Sequence, residues 1–287
     1  MEAEIEVLHP GLFSTIQDMG RFGYLKYGVP QSGVMDQYAA KIGNMLLQNE
    51  KTAAAMEITM AGPKLLFHGS ARVVVSGADL SPKINETSIS NNMVMEMNVG
   101  DVLSFGRRVS GCRAYLAVSG GFKTDTFLGS QSWFQGISTQ TRLARGNKLS
   151  FNISEAGQLE TKTAVKVETD YLDQLDIPAF PGPEYYLLSE EEKNILNSFR
   201  FSVGKNANRM GVQLKEEFKN ELDPIITGPV LPGTVQLTPS GRLIILMRDC
   251  QTTGGYPRVL QISEAGMNVL SQKVMGDMLQ FKIETLI

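Results

Sequence analysis

The chain reads as a mainly β protein of short strands, arranged as barrels or sandwiches with two similar halves. Three observations predict this class. One pattern occurs three times: Gly100-Asp101-Val102-Leu103-Ser104-Phe105, Gly146-Asn147-Lys148-Leu149-Ser150-Phe151 and Gly276-Asp277-Met278-Leu279-Gln280-Phe281, each a tight turn feeding a strand whose Leu and Phe share one face. Apolar strand runs recur at Arg72-Val73-Val74-Val75, Ala114-Tyr115-Leu116-Ala117-Val118 and Leu243 to Met247, each passing into a small-residue turn. Helices are few, and strands this short bury themselves by closing or stacking rather than by forming one long sheet.

In chain order, the first helix follows Asp36, where Tyr38, Ala39, Ile42, Met45 and Leu46 keep helical spacing. Asp36 can cap its first amides or serve as a ligand group, and the sequence leaves both open. Between Glu155 and Glu184 the chain turns polar and then proline-rich, with Pro178, Pro181 and Pro183, which predicts a division into domains at 1–165 and 175–287. A second helix starts at Ser189, whose box with Glu192 precedes Ile195 and Leu196. After the strand Leu243 to Met247 comes Arg248-Asp249-Cys250-Gln251-Thr252-Thr253-Gly254-Gly255-Tyr256-Pro257-Arg258, a glycine-broken turn dense in acceptors and donors. Gly254 and Gly255 free its backbone to approach a ligand or to take positive φ, and a plain polar turn closed by Pro257 is the competing reading. A third helix, about 264 to 273, is signalled by Ser263 ahead of Met267, Val269 and Leu270.

Composition narrows the class by exclusion. At 287 residues the chain can bury a sizeable core and fill two modest domains. A net charge of −3 and a pI near 5.6 give no basic field for nucleic acid or anionic lipid. The start Met-Glu-Ala-Glu-Ile-Glu-Val has no secretory character and no apolar run approaches membrane-spanning length, so a cytoplasmic location with neither membrane nor nucleic-acid partner is expected. The two cysteines, Cys112 and Cys250, make no disulfide framework and no zinc spacing, and no metal site is expected. With His9 and His68 as the only histidines, Cys250 reads as a small residue at a strand end rather than a nucleophile.

A second polar, glycine-rich segment runs from Gly11 to Asp36 and contains Gln17-Asp18-Met19-Gly20-Arg21-Phe22-Gly23-Tyr24 and Gly28-Val29-Pro30-Gln31-Ser32-Gly33-Val34-Met35-Asp36. With Asn44, Glu57, Gly62-Pro63, Gly120-Gly121, Gly129-Ser130-Gln131-Ser132, Asn208-Arg209-Met210-Gly211 and the turn at 249 to 257, these motifs stand in one order from about residue 10 to 282. Together they resemble the second subunit of the allophanate hydrolase-related family, also called the biotin-dependent carboxyltransferase-like family. The resemblance implies two cyclophilin-like β-barrel domains with a few short helices. It also implies the role of the C-type subunit in an ATP-dependent 5-oxoprolinase that opens the lactam of 5-oxoproline to glutamate, working with a first-subunit homologue of B type and a third subunit of A type. The alternatives are a carboxyltransferase component of a urea carboxylase or allophanate hydrolase system, and a non-catalytic antagonist of a sporulation-kinase inhibitor.

Both enzymatic readings ask for one toolkit around a small amide substrate: donors for a developing oxyanion, a proton-handling acid and groups that orient an amide. Arg21 and Arg209 are the candidates for anion stabilisation, and Asp18 and Asp249 for proton handling or metal contact. Gln17, Gln236, Thr252 and Tyr256 would orient the substrate, with Ser32, Asp36 and Thr253 completing the binding set. Each of these acids and bases could instead tie loops together as a buried pair. No phosphate loop, dinucleotide fingerprint or biotinyl-lysine motif is present: Val94-Met95-Glu96-Met97 has glutamate where the modified lysine would stand. ATP is therefore expected as a reactant of the complex, and biotin is not carried by this chain. Two departures from the family pattern stand out. Asn208 replaces an aspartate, and Trp133 with Gln135 to Gln140 replaces a threonine and a glycine-rich stretch, so Trp133 is either a packing wedge or a stacking platform.

Overall fold

The computed structural model describes residues 2–152 and 166–284. The expected end of the first domain at 165 and that of the second at 287 lie outside the described residues. The chain forms two compact units: Met1–Arg21 with Ser32–Leu172, and Phe22–Gln31 with Asp173–Ile287.

The first unit folds two sheets around one core. A seven-stranded sheet runs in the order Phe122–Lys123, Lys148–Asn152, Glu2–His9, Lys64–Phe67, Val102–Phe105, Pro82–Ile84 and Thr87–Ser88. A five-stranded sheet runs Phe13–Gln17, Ala55–Thr59, Ser110–Val118, Ala71–Asp79 and Met95–Met97. Alternate residues of both, among them Ile5, Phe67, Leu103, Phe151, Ile58, Val75 and Leu116, share one buried cluster. The alternation that made these segments read as strands is thus the alternation that builds the core.

The second unit is a closed seven-stranded barrel, ordered Asp176–Pro181, Arg258–Ile262, Thr234–Leu237, Arg242–Leu246, Gly211–Glu217, Phe201–Ala207 and Met278–Ile283. Closure comes from a parallel pairing of the first and last strands, Asp176↔Gln280 through Ala179↔Ile283. Part of the proline-rich stretch read as a boundary is therefore barrel strand. Pro178 lacks an amide donor, but its carbonyl still accepts from the Ser263 amide at 2.9 Å. The fold is the mainly β, two-barrel architecture expected, with the first barrel laid out as two sheets.

The repeated turn-and-strand pattern holds at five of its six side chains: Leu103, Leu149, Phe151, Leu279 and Phe281 are buried in the cores. Phe105 is only half-buried: it packs against the edge of the same core, with its ring over Gly62, where a Cβ would run into it. Among the described residues three α-helices accompany the sheets: α1 (Gln37–Leu46), α2 (Glu190–Ser198) and α3 (Glu264–Ser271). Met45 of α1 and Ile195 of α2, expected on apolar faces, are exposed, and α3 stops at Ser271 rather than at 273. Among the described residues no helix is long and apolar enough to cross a membrane.

Candidate functional site

In the first unit the strand Phe13–Gln17 delivers Gln17, Asp18 and Arg21 to one buried knot. The Asp18 Oδ1 accepts from the Gly20 amide at 2.8 Å and from the Ser130 and Ser132 hydroxyls, each at 2.6 Å, while Oδ2 accepts from the Gln131 amide at 2.7 Å. Gln17 donates through Nε2 to Thr15 Oγ1 at 3.0 Å and to the Trp133 carbonyl at 3.1 Å, and Arg21 donates through Nη2 to the Ser132 carbonyl. Four donors converging on one carboxylate satisfy it, so Asp18 organises the 130–133 segment rather than presenting an open base. Trp133 packs in the core of the unit, which resolves its role as a wedge. Just ahead, Phe127 and Ser130 bridge across a two-residue turn with Leu128 at φ 53° and Gly129 at φ 75°. Ser32 has φ 56° and is fully buried, and two residues on the Val34 amide donates to the Asp18 carbonyl at 2.9 Å.

Asp36 belongs to a different network. It caps α1, accepting at Oδ1 from the Ala39 amide at 2.9 Å, and accepts at Oδ2 from the Tyr171 hydroxyl at 2.6 Å. Its own amide donates to the Tyr115 hydroxyl at 2.8 Å, and Tyr115 donates in turn to Glu57 Oε2 at 2.8 Å, which also takes the Met35 amide at 2.7 Å. Burial pushes the Tyr115 hydroxyl well above the ordinary tyrosine range, and the neighbouring Glu57 and Asp36 add to the shift. Tyr115 therefore stays neutral, donating to the Glu57 carboxylate and accepting from the Asp36 amide.

In the second unit Arg209 and Asp249 form a bidentate pair, Nε to Oδ2 at 2.7 Å and Nη2 to Oδ1 at 3.0 Å, both side chains buried. The Asp249 amide adds a bond to the Arg209 carbonyl at 2.8 Å, so the 207–211 hairpin and the end of strand Arg242–Leu246 are fastened twice. Asn208, which stands where the family has aspartate, accepts at Oδ1 from the Met210 and Gly211 amides at 2.7 and 3.2 Å. That turn needs only an acceptor oxygen, so losing the charge keeps the geometry. Neither Gly254 nor Gly255 takes positive φ. Glycine at 254 leaves room for the Gln236 amide, which a Cβ there would push aside. Gln236 also donates to the Tyr256 carbonyl at 3.4 Å. Cys250 is buried, and burial, with Asp249 beside it, pushes its thiol up to about 12, which fits the filler reading and leaves no thiolate.

The expected residues thus fall into separate groups. Gln17, Asp18 and Arg21 meet in the first knot, Asp36 lies in the Glu57–Tyr115 network, Arg209 pairs with Asp249, and Gln236 packs under Gly254 and Tyr256. Ser32 is enclosed, whereas Gln251, Thr253 and Tyr256 are exposed and Thr252 is half-buried, so the accessible polar side chains of the 249–257 turn are hydroxyls and one carboxamide. Among the described residues no three His, Cys, Asp or Glu side chains gather to hold a metal ion. In the sequence Glu57, Ser130 and Ser132 stand out only as motif positions, and Tyr115 only as a strand residue. A charged residue inside Ala54-Ala55-Met56-Glu57-Ile58 is the available signal, since a carboxylate on a buried strand requires partners.

A model of the carboxyltransferase domain, subdomain A and B, matches residues 27–283. The chain is 30% identical over 283 residues to the C-type subunit of 5-oxoprolinase from Escherichia coli (strain K12), covering 96% of this chain and 90% of that one. The crystal structure of TTHA0988 superposes with a TM-score of 0.85 at 26% identity, over 98% of this chain and 56% of that one. The crystal structure of the Kluyveromyces lactis urea carboxylase gives a TM-score of 0.85 at 29% identity, over 97% of this chain and 27% of that longer one. The motif order, the fold and a family match across most of the sequence converge: the chain belongs to the carboxyltransferase domain, subdomain A and B, family.

Proposed function

We propose that the chain is the C-type subunit of a cytoplasmic ATP-dependent 5-oxoprolinase, acting with B-type and A-type subunits to open 5-oxoproline to glutamate. The observation that carries the reading is the likeness to a C-type 5-oxoprolinase subunit across 96% of this chain. Opening a resonance-stabilised lactam requires stabilising charge on its oxygen and orienting its ring. The exposed hydroxyls of Thr253 and Tyr256 are among the groups this chain offers for orientation, beside the exposed Gln251 carboxamide, on a turn that the Arg209–Asp249 pair and Gln236 hold still. Arg209 and Asp249 then act as positioning residues, as does Asp18 for the 130–133 segment.

ATP supplies the activating phosphoryl group in such a reaction. Arg21 and Arg209, the cations expected to meet phosphate, are buried and bonded within the chain and form no open phosphate cradle. On this reading the ATP phosphates are held by the partner subunits.

A second reading, the carboxyltransferase component of a urea carboxylase system, rests on the likeness to the Kluyveromyces lactis enzyme, with biotin supplied from outside this sequence. The test is co-purification with the products of neighbouring genes, followed by phosphate release with 5-oxoproline, urea or allophanate. Release with 5-oxoproline alone is the expected result. Turnover only with urea, in the presence of a biotin carrier, would transfer the assignment to the second reading, and tight association without product in any mixture would favour a regulatory role.

A further inference from the structure

The second unit carries a groove of about 840 Å³ between α2 and the segment Glu217 to Leu222, remote in sequence from the residues of the two motif clusters. Its floor is apolar. Leu187, Ile195 and Phe199 leave 44%, 38% and 46% of their surface exposed there, with Phe218 buried beneath. Ile195 and Phe199 stand one helical turn apart and form a continuous stripe.

The walls are fixed before any partner arrives. On one side Ser189 and Glu192 close a full capping box on α2, and the Phe199 ring stacks edge-on against Phe201 with centroids 5.0 Å apart. On the other, Asn220 donates to the Phe218 and Thr238 carbonyls, both at 3.2 Å, and accepts from the Leu222 amide at 3.0 Å. A groove held in this way needs little reorganisation to accept a segment.

The rim is acidic. Glu191, Glu192, Glu217 and Glu221 line it against the single cation Lys219. Glu192 is taken up by the cap and Glu217 faces Arg242 at 3.6 Å, which leaves Glu191 and Glu221 as exposed acids beside the apolar stripe. A second copy of this chain, net charge −3, would bring acid to acid. We infer that the groove docks a basic, apolar-faced segment of a partner protein, its apolar residues on the Ile195–Phe199 stripe and its cations on Glu191 and Glu221. The inference does not depend on the 5-oxoprolinase reading.

The test is fluorescence anisotropy of the full chain with three labelled synthetic peptides: leucine at helical spacing with lysine between, the same with glutamate for lysine, and the same with serine for leucine. Only the lysine–leucine peptide should bind, and more weakly as salt rises. Glu191→Lys with Glu221→Lys, and separately Ile195→Asp, should each weaken it at least about tenfold. These are surface positions, so thermal midpoints should hold, and Glu50→Lys, an exposed acid of the first unit, should change nothing. Equal binding of the glutamate peptide, or of the serine peptide, overturns the inference. So does insensitivity to the groove substitutions, or a concentration-dependent dimer of this chain that Ile195→Asp abolishes.

Discussion

Arg209 and Asp249 hold each other in a buried bidentate pair, so removing either deprives the other of its opposite charge. Arg209→Ala or Asp249→Ala should each destabilise the fold by about 3–5 kcal/mol in urea titration. The double variant Arg209→Met with Asp249→Leu should lose far less than the sum, because apolar groups of similar volume can fill a former ion-pair site. Additive losses would show that the two side chains act independently. The pair also marks the limit of what sequence discloses at this scale. Both residues stood out as polar groups in glycine-flanked turns, yet 40 positions separate them, and Asp18 lies 112 positions from Ser130. Side-chain identity signals that a buried charge must be satisfied; only the folded backbone determines by which group. The cap of α2 needed no such information, since Ser189 and Glu192 are three residues apart and their meeting follows from helical geometry alone.

At the scale of elements the turn-and-strand pattern makes a graded prediction. Phe281→Ala removes a fully buried ring from the barrel and should cost about 3–5 kcal/mol, whereas Phe105→Ala, at the same pattern position but half-buried over Gly62, should cost clearly less. Equal losses would mean that burial does not separate them. The strands were readable because period-two alternation survives wherever one face is buried, and the three helices because their caps are local. Exposed Met45 and Ile195 were misread for one reason: periodicity identifies the apolar face of a helix but not how much of that face a neighbour covers.

A second prediction at this scale concerns the turn that enters α2. Glu184 is clasped by Arg258 through Nε at 2.9 Å and Nη2 at 2.7 Å, and the Arg258 amide adds a third bond at 2.8 Å. The hydrogen bond from the Arg258 side chain is the main reason the Glu184 carboxyl lies below the ordinary glutamate value of 4.5, against a smaller opposing effect of burial. A depressed carboxyl stabilises the fold above its unfolded-state pKa, and that contribution is lost as pH falls through its folded-state value. Glu184→Gln should therefore lower the thermal midpoint at neutral pH, with the gap to the parent closing as pH falls below the ordinary glutamate range and the parent's own carboxyl protonates. A gap that stays constant down to the acid transition would place the ionic contribution elsewhere.

For the molecule as a whole, the two motif clusters are rich in hydrogen-bonding groups, but those groups are largely consumed inside the chain. Asp18 has four donors, Arg209 has Asp249, Asp36 has the α1 amide and Tyr171, and Cys250 is protonated by burial. What is left on the surface of the 249–257 turn is the Thr253 and Tyr256 hydroxyls and the Gln251 carboxamide, uncharged groups that orient a substrate but supply no cation against the charge of a triphosphate or of an activated lactam. A chain built in this way should contribute part of a shared site, in which groups from different subunits surround one substrate and separation removes both orientation and charge stabilisation. The isolated chain should therefore neither hydrolyse ATP appreciably nor open 5-oxoproline, and both activities should appear together on mixing with B-type and A-type subunits. Coupled release of ADP and glutamate, followed for the chain alone and for the reconstituted mixture, checks this. Within the active mixture, Tyr256→Phe should lower turnover while leaving the thermal midpoint of the chain within a few degrees, because that side chain is exposed. Robust turnover by the chain alone would mean that a complete catalytic set lies within it, and the shared-site proposal would fall.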